Sequence, residues 1–354
     1  MATQDTVTQL VSQIRRVRRL IPGAADVVVS ARDYDASGKP VCAWDDPEAK
    51  TALVSGLVND ALALIAALEG VDLTGEQADG VGLLALVAGQ DVEPGDTDGT
   101  WRIVEGTVPG RVISTVDPEA RHMRKSTSEH RDGYKAHVAV EPQTGIITAS
   151  KLTPANVGDG PTGLELIATE EPGLQVLADS GYGSGETRAE LRKKGHDQAI
   201  KPIPLRRPAI ENGYTRDGFS LDHENRTATC PAGHTVNIAA KGSARFGKHC
   251  KTCPLRARCT TAQSGRVLRI SNHDDELVAA PKQWAAGIHT DDYRRFRPMV
   301  ERSIAWLVGK HHRRLRYRGV QANQAQLSLR VAAVNLTRLI NLGLNHTDAT
   351  WTTT

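Results

Sequence analysis

The chain has 354 residues, of which 39% are hydrophobic and 24% are charged. At about 150 residues per domain this length suggests roughly two domains, and the composition excludes a disordered or a fibrous protein. No uninterrupted apolar stretch approaches the roughly 18 residues that a bilayer span requires, and the N-terminal segment lacks the basic and apolar regions of a signal peptide. A cytoplasmic protein that does not engage a membrane is therefore expected.

Charge is unevenly distributed along the chain, although the formal net charge is only +3. Residues 51–100 contain nine acidic side chains and no Lys or Arg. Residues 241–270 contain eight Lys or Arg and no acid, and residues 291–320 contain nine Lys or Arg against three acids. Basic blocks of this density favour a polyanionic partner, because clustered cations release counterions from nucleic-acid phosphates. The alternative is a set of solvated basic faces without a partner.

Residues 1–99 are predicted to form a helical region. Apolar residues recur at helical spacing from Val7 to Ile21, and a Pro-Gly pair then ends the run. A second helix is expected to begin at Asp46, which caps it, with proline in its first position. A third is expected to begin at Thr74, whose capping-box partner is Gln77.

Residues 100–205 change to short β-branched segments that are typical of strands, namely WRIVEGTV, RVISTV, YKAHVAV and GIITASKL. The turn at residues 142–145 between the last two predicts a hairpin. Residues 174–178 predict a continuous buried apolar strand, and the turn DSGYGSGE and a helix over about 186–194 follow it. Strand, turn and helix in this order predict an α/β fold.

Residues 206–270 lose this periodicity and hold four of the five cysteines, so they are interpreted as a loop-rich insertion. Residues 271–346 return to helical spacing, in helices predicted over about 292–312 and 321–342. The second helix carries an apolar stripe of the kind that faces a core, made of Leu329, Ala332, Ala333, Leu336, Leu339 and Ile340. Residues 347–354 form a tail.

Two acidic residues stand at positions suited to catalysis. Asp179 follows the predicted strand, and strand ends are where α/β folds position ligands and catalytic groups; capping of the glycine-rich turn is the alternative. Glu301 lies on a predicted helix among cations, where a surface ion pair is the simpler interpretation. Those cations are Arg294, Arg295, Arg297 and Arg302. Together the two acids are typical of an Mg²⁺ site for phosphoryl transfer, with the arginines gripping a nucleic acid.

Several motifs follow one another between Val112 and His346: D-G-Y-K-A-H-V-A-V, T-P-A-N-V-G-D, V-L-A-D-S-G-Y-G-S, and R-P-M-V-E-R-S-I-A-W-L with the basic tail K-H-H-R-R-L-R-Y. In this order they resemble the DDE transposases of bacterial insertion sequences, specifically the branch with a cysteine cluster before the third acid. The resemblance implies an RNase H-like mixed sheet with flanking helices, in which three carboxylates hold two Mg²⁺ or Mn²⁺ ions. It assigns Asp179 as the second acid and Glu301 as the third.

The same resemblance assigns Arg297 as the family's arginine before the glutamate. The accompanying tyrosine is one place out of the usual register, at Tyr293. The position of the family's lysine is Val308, with Lys310 nearby. The roles of Tyr293 and Lys310 therefore depend on a shifted register.

The first acid of the family lies on a core strand just before a helical region that resembles ATQDTVTQLVSQIRR, and the sequence begins at Met1 within that neighbourhood. A reading frame that starts downstream of the true first strand and a remnant gene both account for this. Asp117, in VISTVDPE, is the strand-end substitute, unless it opens a turn with Pro118. Two carboxylates leave two ions with too few anionic ligands. The chain as it begins at Met1 is therefore expected to bind DNA without cleaving it.

The clustered cysteines form a separate candidate site, made of Cys230, Cys250, Cys253 and Cys259. One cysteine before P-A-G-H and a C-x2-C-x5-C segment could close a tetrahedral Cys₄ site for structural Zn²⁺. His234 or His249 could replace one thiolate. The alternative is a set of unligated thiols on a degenerate insertion, and Cys42 is interpreted as a small apolar residue.

Basic residues near the third acid predict contacts with DNA phosphates, through Arg294, Arg295, Arg297, Lys310, Arg313 and Arg314. Trp306, on the same predicted helix, is expected in the core rather than stacked on bases. The resemblance implies a transposase that cleaves double-stranded DNA at the ends of a mobile element and joins them to target DNA, as a homodimer on paired ends. The alternative function is that of a DNA-binding remnant without catalysis.

Overall fold

The computed structural model describes residues 4–27, 30, 32–106, 108–124, 129–204, 210–309, 313–347 and 350–352. The chain forms two compact units. Unit 1 comprises Met1–Ala136, Lys151–Val157 and Gly309–Ala332, and unit 2 comprises His137–Ser150, Gly158–Val308 and Ala333–Thr354. Helices and several small sheets make up both, so the fold is mixed α/β.

Unit 1 begins with the three predicted helices, α1 (Thr6–Leu20), α2 (Pro47–Ala67) and α3 (Gly75–Gln90). Their N-terminal signals act as predicted. The side chain of Asp46 accepts the amide of Glu48 at 2.9 Å, and the amide of Thr74 donates to Gln77 at 3.0 Å. These bonds satisfy amides that have no partner inside a helix.

The three helices share one apolar core. Leu10 and Ile14 of α1, Leu57 of α2 and Leu84 of α3 are completely buried in it. Full burial of each such side chain contributes about 1.5–3 kcal/mol. The helical spacing read from the sequence therefore identifies the faces that form this core.

By length and composition alone, α2 could cross a membrane, since an 18-residue window of it has a mean hydropathy of 1.4. The expectation from the sequence considered uninterrupted apolar runs, whereas this window includes the polar residues Asn59 and Asp60. The helix packs against α1 and α3, and its residues Leu57, Ala61 and Leu64 are buried between them.

Replacing the capping residue of α2 tests this local interpretation. Asp46→Ala should lower the free energy of unfolding by about 1 kcal/mol, because the amide of Glu48 loses its acceptor. Asp45→Ala, at the exposed neighbouring position, is the matched control and should change stability by less than about 0.5 kcal/mol. Equal losses in the two variants, measured by urea unfolding, would contradict the capping role.

The strand region of unit 1 is shorter than predicted. It contains β1 (Val92–Pro94), β2 (Trp101–Ile103) and β3 (Arg121–Arg124). RVISTV is not a strand, and among the described residues of WRIVEGTV only the first three are. The reason is visible at Val112, whose carbonyl accepts the Gln9 side chain at 2.8 Å and whose amide donates to Gln90 at 3.0 Å. Side chains of α1 and α3 thus take the backbone hydrogen bonds of Val112, which forms only an isolated antiparallel bridge with Arg121 of β3.

The predicted hairpin is present as β4 (His130–Val140) and β5 (Ile147–Pro154), in a sheet of order β3-β4-β5. The connecting turn is closed by the amide of Gly145, which donates to the carbonyl of Glu141 at 2.8 Å. Gly145 has φ of 77°, a conformation that favours glycine.

The predicted order of strand, turn and helix is confirmed in unit 2. It consists of α4 (Asp159–Leu166), β6 (Gln175–Ala178), α5 (Gly185–Lys193) and β7 (Asp197–Ile200). β6 and β7 are parallel, with Ala178 opposite Ile200. Only Ala178 of β6 is fully buried, so this strand is less buried than its apolar run predicts.

Residues 210–270, called the cysteine module here, contain short strands and helices joined by loops. They form an antiparallel sheet of β8 (Ser220–Asp222), β9 (Thr227–Thr229) and β10 (Thr235–Asn237), a hairpin of β11 (Ser243–Arg245) and β12 (Val267–Arg269), and the short helices α6 (Gly247–Cys250) and α7 (Arg256–Cys259). Phe219, Phe246 and Leu268 belong to a core of their own. Strands of three residues are too short to show alternation in sequence, so the sequence pattern did not predict them.

The last elements are α8 (Asp274–Ala285), α9 (Thr290–Val308), α10 (Val320–Asn341), β13 (Asn345–Thr347) and β14 (Thr350–Thr352). The prediction that the apolar stripe of α10 faces a core is wrong for Leu329, Leu336 and Ile340, which are 73%, 57% and 62% exposed. Another face of α10 is held instead: Asn335 exchanges two hydrogen bonds with the backbone of Ile147. Polar side chains that satisfy strand backbone groups thus decide which face of α10 is covered.

The prediction that Trp306 lies in the core is also wrong. This side chain on α9 is 47% exposed, and the guanidinium of Arg338 lies 5.1 Å from its ring centroid. Arg338 in turn donates to the hydroxyl of Ser303 at 3.0 Å. A cation over the ring face stabilises a half-exposed tryptophan.

Candidate active site and cysteine module

Asp179 stands immediately after β6, at the carboxyl end of the strand. One oxygen of its side chain accepts the amide of Gly181 at 2.9 Å and caps the turn of residues 180–182. The other oxygen lies 3.3 Å from Nη2 of Arg297 on α9. Turn capping and presentation of a carboxylate are therefore not alternatives here, because each uses a different oxygen of the same group.

Glu301 meets Asp179 through one guanidinium. Nη2 of Arg297, one turn earlier on α9, lies 2.7 Å from Oε1 of Glu301 and 3.3 Å from Oδ2 of Asp179. Both distances start from one atom, so the two oxygens are no farther apart than their sum. That separation suits carboxylates that bridge ions about 4 Å apart.

The first turn of α9 is tied to the first residue of β6. Nε2 of Gln175 lies 2.8 Å from Nδ1 of His289 and donates to Asp292 at 3.1 Å. α9 packs against both β6 and β7. These contacts fix the position of α9 along β6 and β7. They therefore determine which residues of α9, namely Arg297 and Glu301, lie next to Asp179.

A third carboxylate, Asp159 at the start of α4, lies beside Asp179. A Cβ atom built on Gly181 would lie 2.5 Å from Oδ2 of Asp159 and 3.0 Å from Oδ1 of Asp179. Both oxygens therefore point at one small space that only glycine leaves open. Sequence reasoning missed Asp159, although it ends the motif T-P-A-N-V-G-D, which contributes to the family resemblance.

Two further side chains were missed and lie against these acids. Nδ1 of His137, on β4, lies 3.1 Å from the hydroxyl of Tyr182 and 3.9 Å from Oδ1 of Asp159. Burial and the charges of Asp159 and Asp179 raise the pKa of Tyr182 well above its usual value, against the opposing effect of Arg297. Tyr182 thus keeps its proton. Both residues belong to motifs of the family resemblance, which was the one signal that could have found them.

Tyr293 faces the same group of charges despite its shifted register. Burial raises the pKa of its hydroxyl, and the carboxylates of Asp179 and Glu301 raise it further, while Arg297 lowers it. Its ring packs edge-on against Trp284 of α8, with centroids 5.1 Å apart. The phenol is therefore a fixed neutral group at the edge of the carboxylate site.

Residues 97–336 match the family described as "Transposase DDE domain", which is more than half of the chain. This chain belongs to the DDE transposase family. It is 28% identical over 116 residues to a protein of Neisseria meningitidis serogroup B described as "Transposase for insertion sequence element IS1106". The match covers 32% of this chain and 40% of that relative, so it spans well under half of the relative's length. No solved structure matches significantly.

The donor atoms of the transposase site fit a hard divalent cation in their chemistry. Asp159, Asp179 and Glu301 offer carboxylate oxygens, the ligands that Mg²⁺ and Mn²⁺ prefer. Within the described ranges, however, no three His, Cys, Asp or Glu side chains stand in a ready-made metal-binding arrangement. The group between Asp179 and Glu301 is the guanidinium of Arg297, so a cation at this site competes with that arginine.

This competition predicts effects of opposite sign from neighbouring residues. Arg297→Met should strengthen Mn²⁺ binding about tenfold, because the competing positive charge is removed, whereas Asp179→Asn should weaken it about tenfold. Titration of Mn²⁺ followed by electron paramagnetic resonance measures both. Arg294→Met, on the exposed side of the helix, should leave binding unchanged. Weaker binding in Arg297→Met would show that the arginine organises the carboxylates instead.

Asp117, the substitute for the first acid, is held inside unit 1 of the transposase. It is 3% exposed, and one oxygen accepts the hydroxyl of Tyr134 at 2.5 Å and the amide of Gly319 at 3.1 Å. Burial and the Asp117 carboxylate raise the pKa of Tyr134 above its usual value. Asp117 also opens a turn, because its carbonyl accepts the amide of Ala120 at 3.1 Å. These contacts give it a structural role, and a catalytic one stays a prediction.

The cations predicted to grip DNA are mostly exposed. Arg294 forms an exposed ion pair with Asp291 at 3.4 Å, and Arg295 lies over the ring of Phe296 at 4.9 Å. Arg313 and Arg314 are exposed but lie in a turn rather than on the end of a helix. Lys310 lies outside the described residues.

The four clustered cysteines of the transposase line one small cavity in the cysteine module. His234, His249, Arg256 and Arg266 line the same cavity. Burial raises the pKa of the Cys259 thiol, Arg266 lowers it, and the neighbouring thiols of Cys250, Cys230 and Cys253 raise it again. The other three thiols therefore lie near enough to Cys259 to act on its charge. Cys42 packs at the edge of the core of unit 1, as predicted for a small apolar residue.

Proposed function

We propose that this transposase cleaves DNA strands at the ends of an insertion sequence and joins them to target DNA by metal-assisted phosphoryl transfer. The observation that carries the proposal is that Asp179 and Glu301, which are far apart in sequence, share one atom of Arg297. An ion pair on a protein surface needs one acid for one arginine. Two acids from a strand end and a helix, with a third beside them, form a site suited to cations.

The roles of the residues follow from their contacts. Asp159, Asp179 and Glu301 would hold Mg²⁺ or Mn²⁺, which when bound supplies charge stabilisation and lowers the pKa of the attacking water. Before a cation binds, Arg297 pairs with the two flanking carboxylates at the place where the ion would be held. His137, which is hydrogen-bonded to Tyr182, lies 3.9 Å from Asp159 and would support its position. The rest of the work is positioning and electrostatic stabilisation, which the protein supplies before the substrate binds.

The proposed core is RNase H-like. Its support is the parallel pair β6 and β7, the acid at the end of β6 and the helix α9 that brings Glu301 to it. The proposed partners are double-stranded DNA at the ends of a mobile element and target DNA, bound by a homodimer in the cytoplasm without a membrane. Clustered exposed arginines on α9 support a polyanionic partner.

A second candidate function, a DNA-binding remnant without catalysis, is favoured by one observation. In the part of the chain that the structure describes, no three metal-ligating side chains are pre-arranged as a site. The basic residues of α9 do not depend on a metal. DNA binding without cleavage would therefore be the outcome for such a remnant.

A gel shift and a nicking assay on one duplex that carries the ends of the element separate the two functions. The catalytic proposal expects nicks that require Mg²⁺ or Mn²⁺ and that disappear in Glu301→Gln. Tight binding with no nicking in either metal would establish the remnant. Nicking that survives Glu301→Gln and Asp179→Asn but is abolished by Asp117→Ala would move the catalytic centre to Asp117.

The salt dependence of DNA binding tests the basic face of α9. Arg294→Ala with Arg295→Ala should reduce the slope of log K against log salt by about 0.9 for each phosphate that the protein no longer neutralises. Lys193→Ala with Lys194→Ala, on exposed positions of another helix end, is the control pair and should leave the slope unchanged. An unchanged slope in the arginine variant would exclude this face from the DNA interface.

A further inference from the structure

We propose that the cysteine module binds one structural Zn²⁺ through the thiolates of Cys230, Cys250, Cys253 and Cys259. This site is independent of the carboxylate site and of whether the protein cleaves DNA. Its ligand type differs as well, because thiolates select zinc whereas carboxylates suit magnesium. The backbone around the four residues, the charges at the cavity and the size of the local core each support it.

The first ligand projects from a tight turn after β9. The amide of Cys230 donates to the carbonyl of His234 at 2.9 Å, and the amide of Gly233 donates to the carbonyl of Cys230 at 2.8 Å. Gly233 has φ of 81°, so a glycine closes this turn. A compact turn that projects a cysteine at one edge of a small sheet is a rigid mount for one metal ligand.

The other three ligands lie on, or directly between, the short helices α6 and α7. Cys250 ends α6, Cys253 follows it, and Cys259 ends α7. The amide of Cys250 donates to the carbonyl of Phe246, and the amide of Arg256 donates to the carbonyl of Cys253, each at 3.1 Å. These turns present the three thiols to the same cavity as Cys230. All four cysteines therefore line one cavity, which is the arrangement from which a tetrahedral site could close.

The polar surroundings suit thiolates. The amide of Arg266 points at Sγ of Cys250 at 3.4 Å, and a hydrogen bond to sulfur stabilises its anionic form. Zinc with four thiolates carries two net negative charges. Arg256 and Arg266 both line the cavity, and their guanidinium groups also donate to the carbonyls of Cys250 and Cys259. Two fixed positive charges thus face the place where that excess negative charge would develop.

The size of the local core indicates why a metal is useful here. The fully buried apolar side chains of the cysteine module are few, and its strands have three residues each. Small folds with so little core usually need disulfides or a metal to be stable. All four cysteines are free thiols. A structural zinc supplies folding free energy directly and releases the thiol protons when it binds.

Two histidines are the alternative donors. The rings of His234 and His249 also line the cavity and stack on each other, with centroids 4.7 Å apart and planes 17° apart. Stacking occupies the ring faces but leaves the ring nitrogens able to bind a metal, so the four-thiolate set is tested against both histidines. No complete set of ligands is pre-arranged within the described residues, so rotation of the thiol side chains must close the site.

The test is the metal content and the cobalt spectrum of the full chain. Purified protein should contain about one zinc ion per chain, measured by inductively coupled plasma mass spectrometry. Exchange with Co²⁺ should produce thiolate charge-transfer bands whose intensity corresponds to four sulfurs. Each single Cys→Ser variant of the four should lose zinc or weaken its binding at least tenfold, whereas Cys42→Ser should retain it.

Three outcomes would overturn the proposal. They are protein purified without zinc that does not take up Co²⁺, a cobalt spectrum without thiolate bands, and a Cys→Ser variant of any of the four that binds zinc as the unsubstituted chain does. His234→Ala and His249→Ala should both keep the full spectrum, and loss of bands in one of them would make that histidine the fourth ligand and reject the four-thiolate site. Because the spectrum is measured on the unsubstituted chain, a variant that fails to fold leaves the test intact.

Discussion

Asp179→Asn should lower metal-dependent nicking by about 10³-fold, which corresponds to about 4 kcal/mol of transition-state stabilisation. The substitution keeps the oxygen that caps the turn at Gly181, because an amide has one acceptor of the same shape. It removes the negative charge that faces Arg297 and, in the proposal, the metal ion. The loss should therefore appear in the chemical step, while affinity for DNA stays within about twofold.

The matched control is Asp291→Asn, on the exposed side of α9, whose side chain is 95% exposed and pairs only with an exposed arginine among the contacts described. It removes one negative charge from the same helix without touching the carboxylate site. Nicking should be unchanged in this variant. Retention of nicking by Asp179→Asn, in a preparation whose thermal unfolding matches that of the unsubstituted chain, would reject the catalytic assignment.

Asp159→Asn should reduce nicking about 100-fold, because Asp159 lies beside Asp179. Asp117→Asn should leave nicking within a few-fold of the unsubstituted chain. The pair distinguishes two positions for the third carboxylate. Asp117 is buried and accepts two hydrogen bonds in unit 1, so its variant should show a stability loss of about 1–3 kcal/mol instead. Nicking rates and thermal unfolding, measured on both variants, give this contrast.

The opposite pattern is equally informative. Loss of nicking in Asp117→Asn without loss of stability, and full activity in Asp159→Asn, would make Asp117 the catalytic acid, as the sequence alone suggested. Tyr134→Phe removes one donor to Asp117 and provides the structural comparison, since it should reproduce a stability loss without any effect on the chemical step.

The arginine between the carboxylates has two consequences for the proposed metal site. Without a divalent cation, the single charge of Arg297 offsets part of the two negative charges of Asp179 and Glu301. In the proposed reaction a bound ion would displace this guanidinium, which would then be able to pair with a substrate phosphate. Sequence resemblance names this arginine, but only the shared Nη2 atom explains why it must stand one turn before the glutamate.

Local signals in the sequence determined the helices of unit 1 and the order of strand, turn and helix around Asp179. Capping by Asp46, the pairing of Thr74 with Gln77 and the glycine turn after β6 act within a few residues. Such interactions depend on near neighbours only, so they can be read without the rest of the fold. The sequence likewise singled out Asp179 and Glu301 as candidate metal-binding carboxylates.

Only the tertiary structure decided which side chains join those acids and which faces are covered. Asp159, on the helix just before β6, and His137, on β4, join the site only through the packing of these elements, so local patterning does not distinguish them from surface residues. The apolar stripe of α10 is exposed because the hydrogen bonds of Asn335 to Ile147 hold a different face. Long-range hydrogen bonds and ion pairs depend on where distant segments pack, and periodicity within one segment contains no record of its partner.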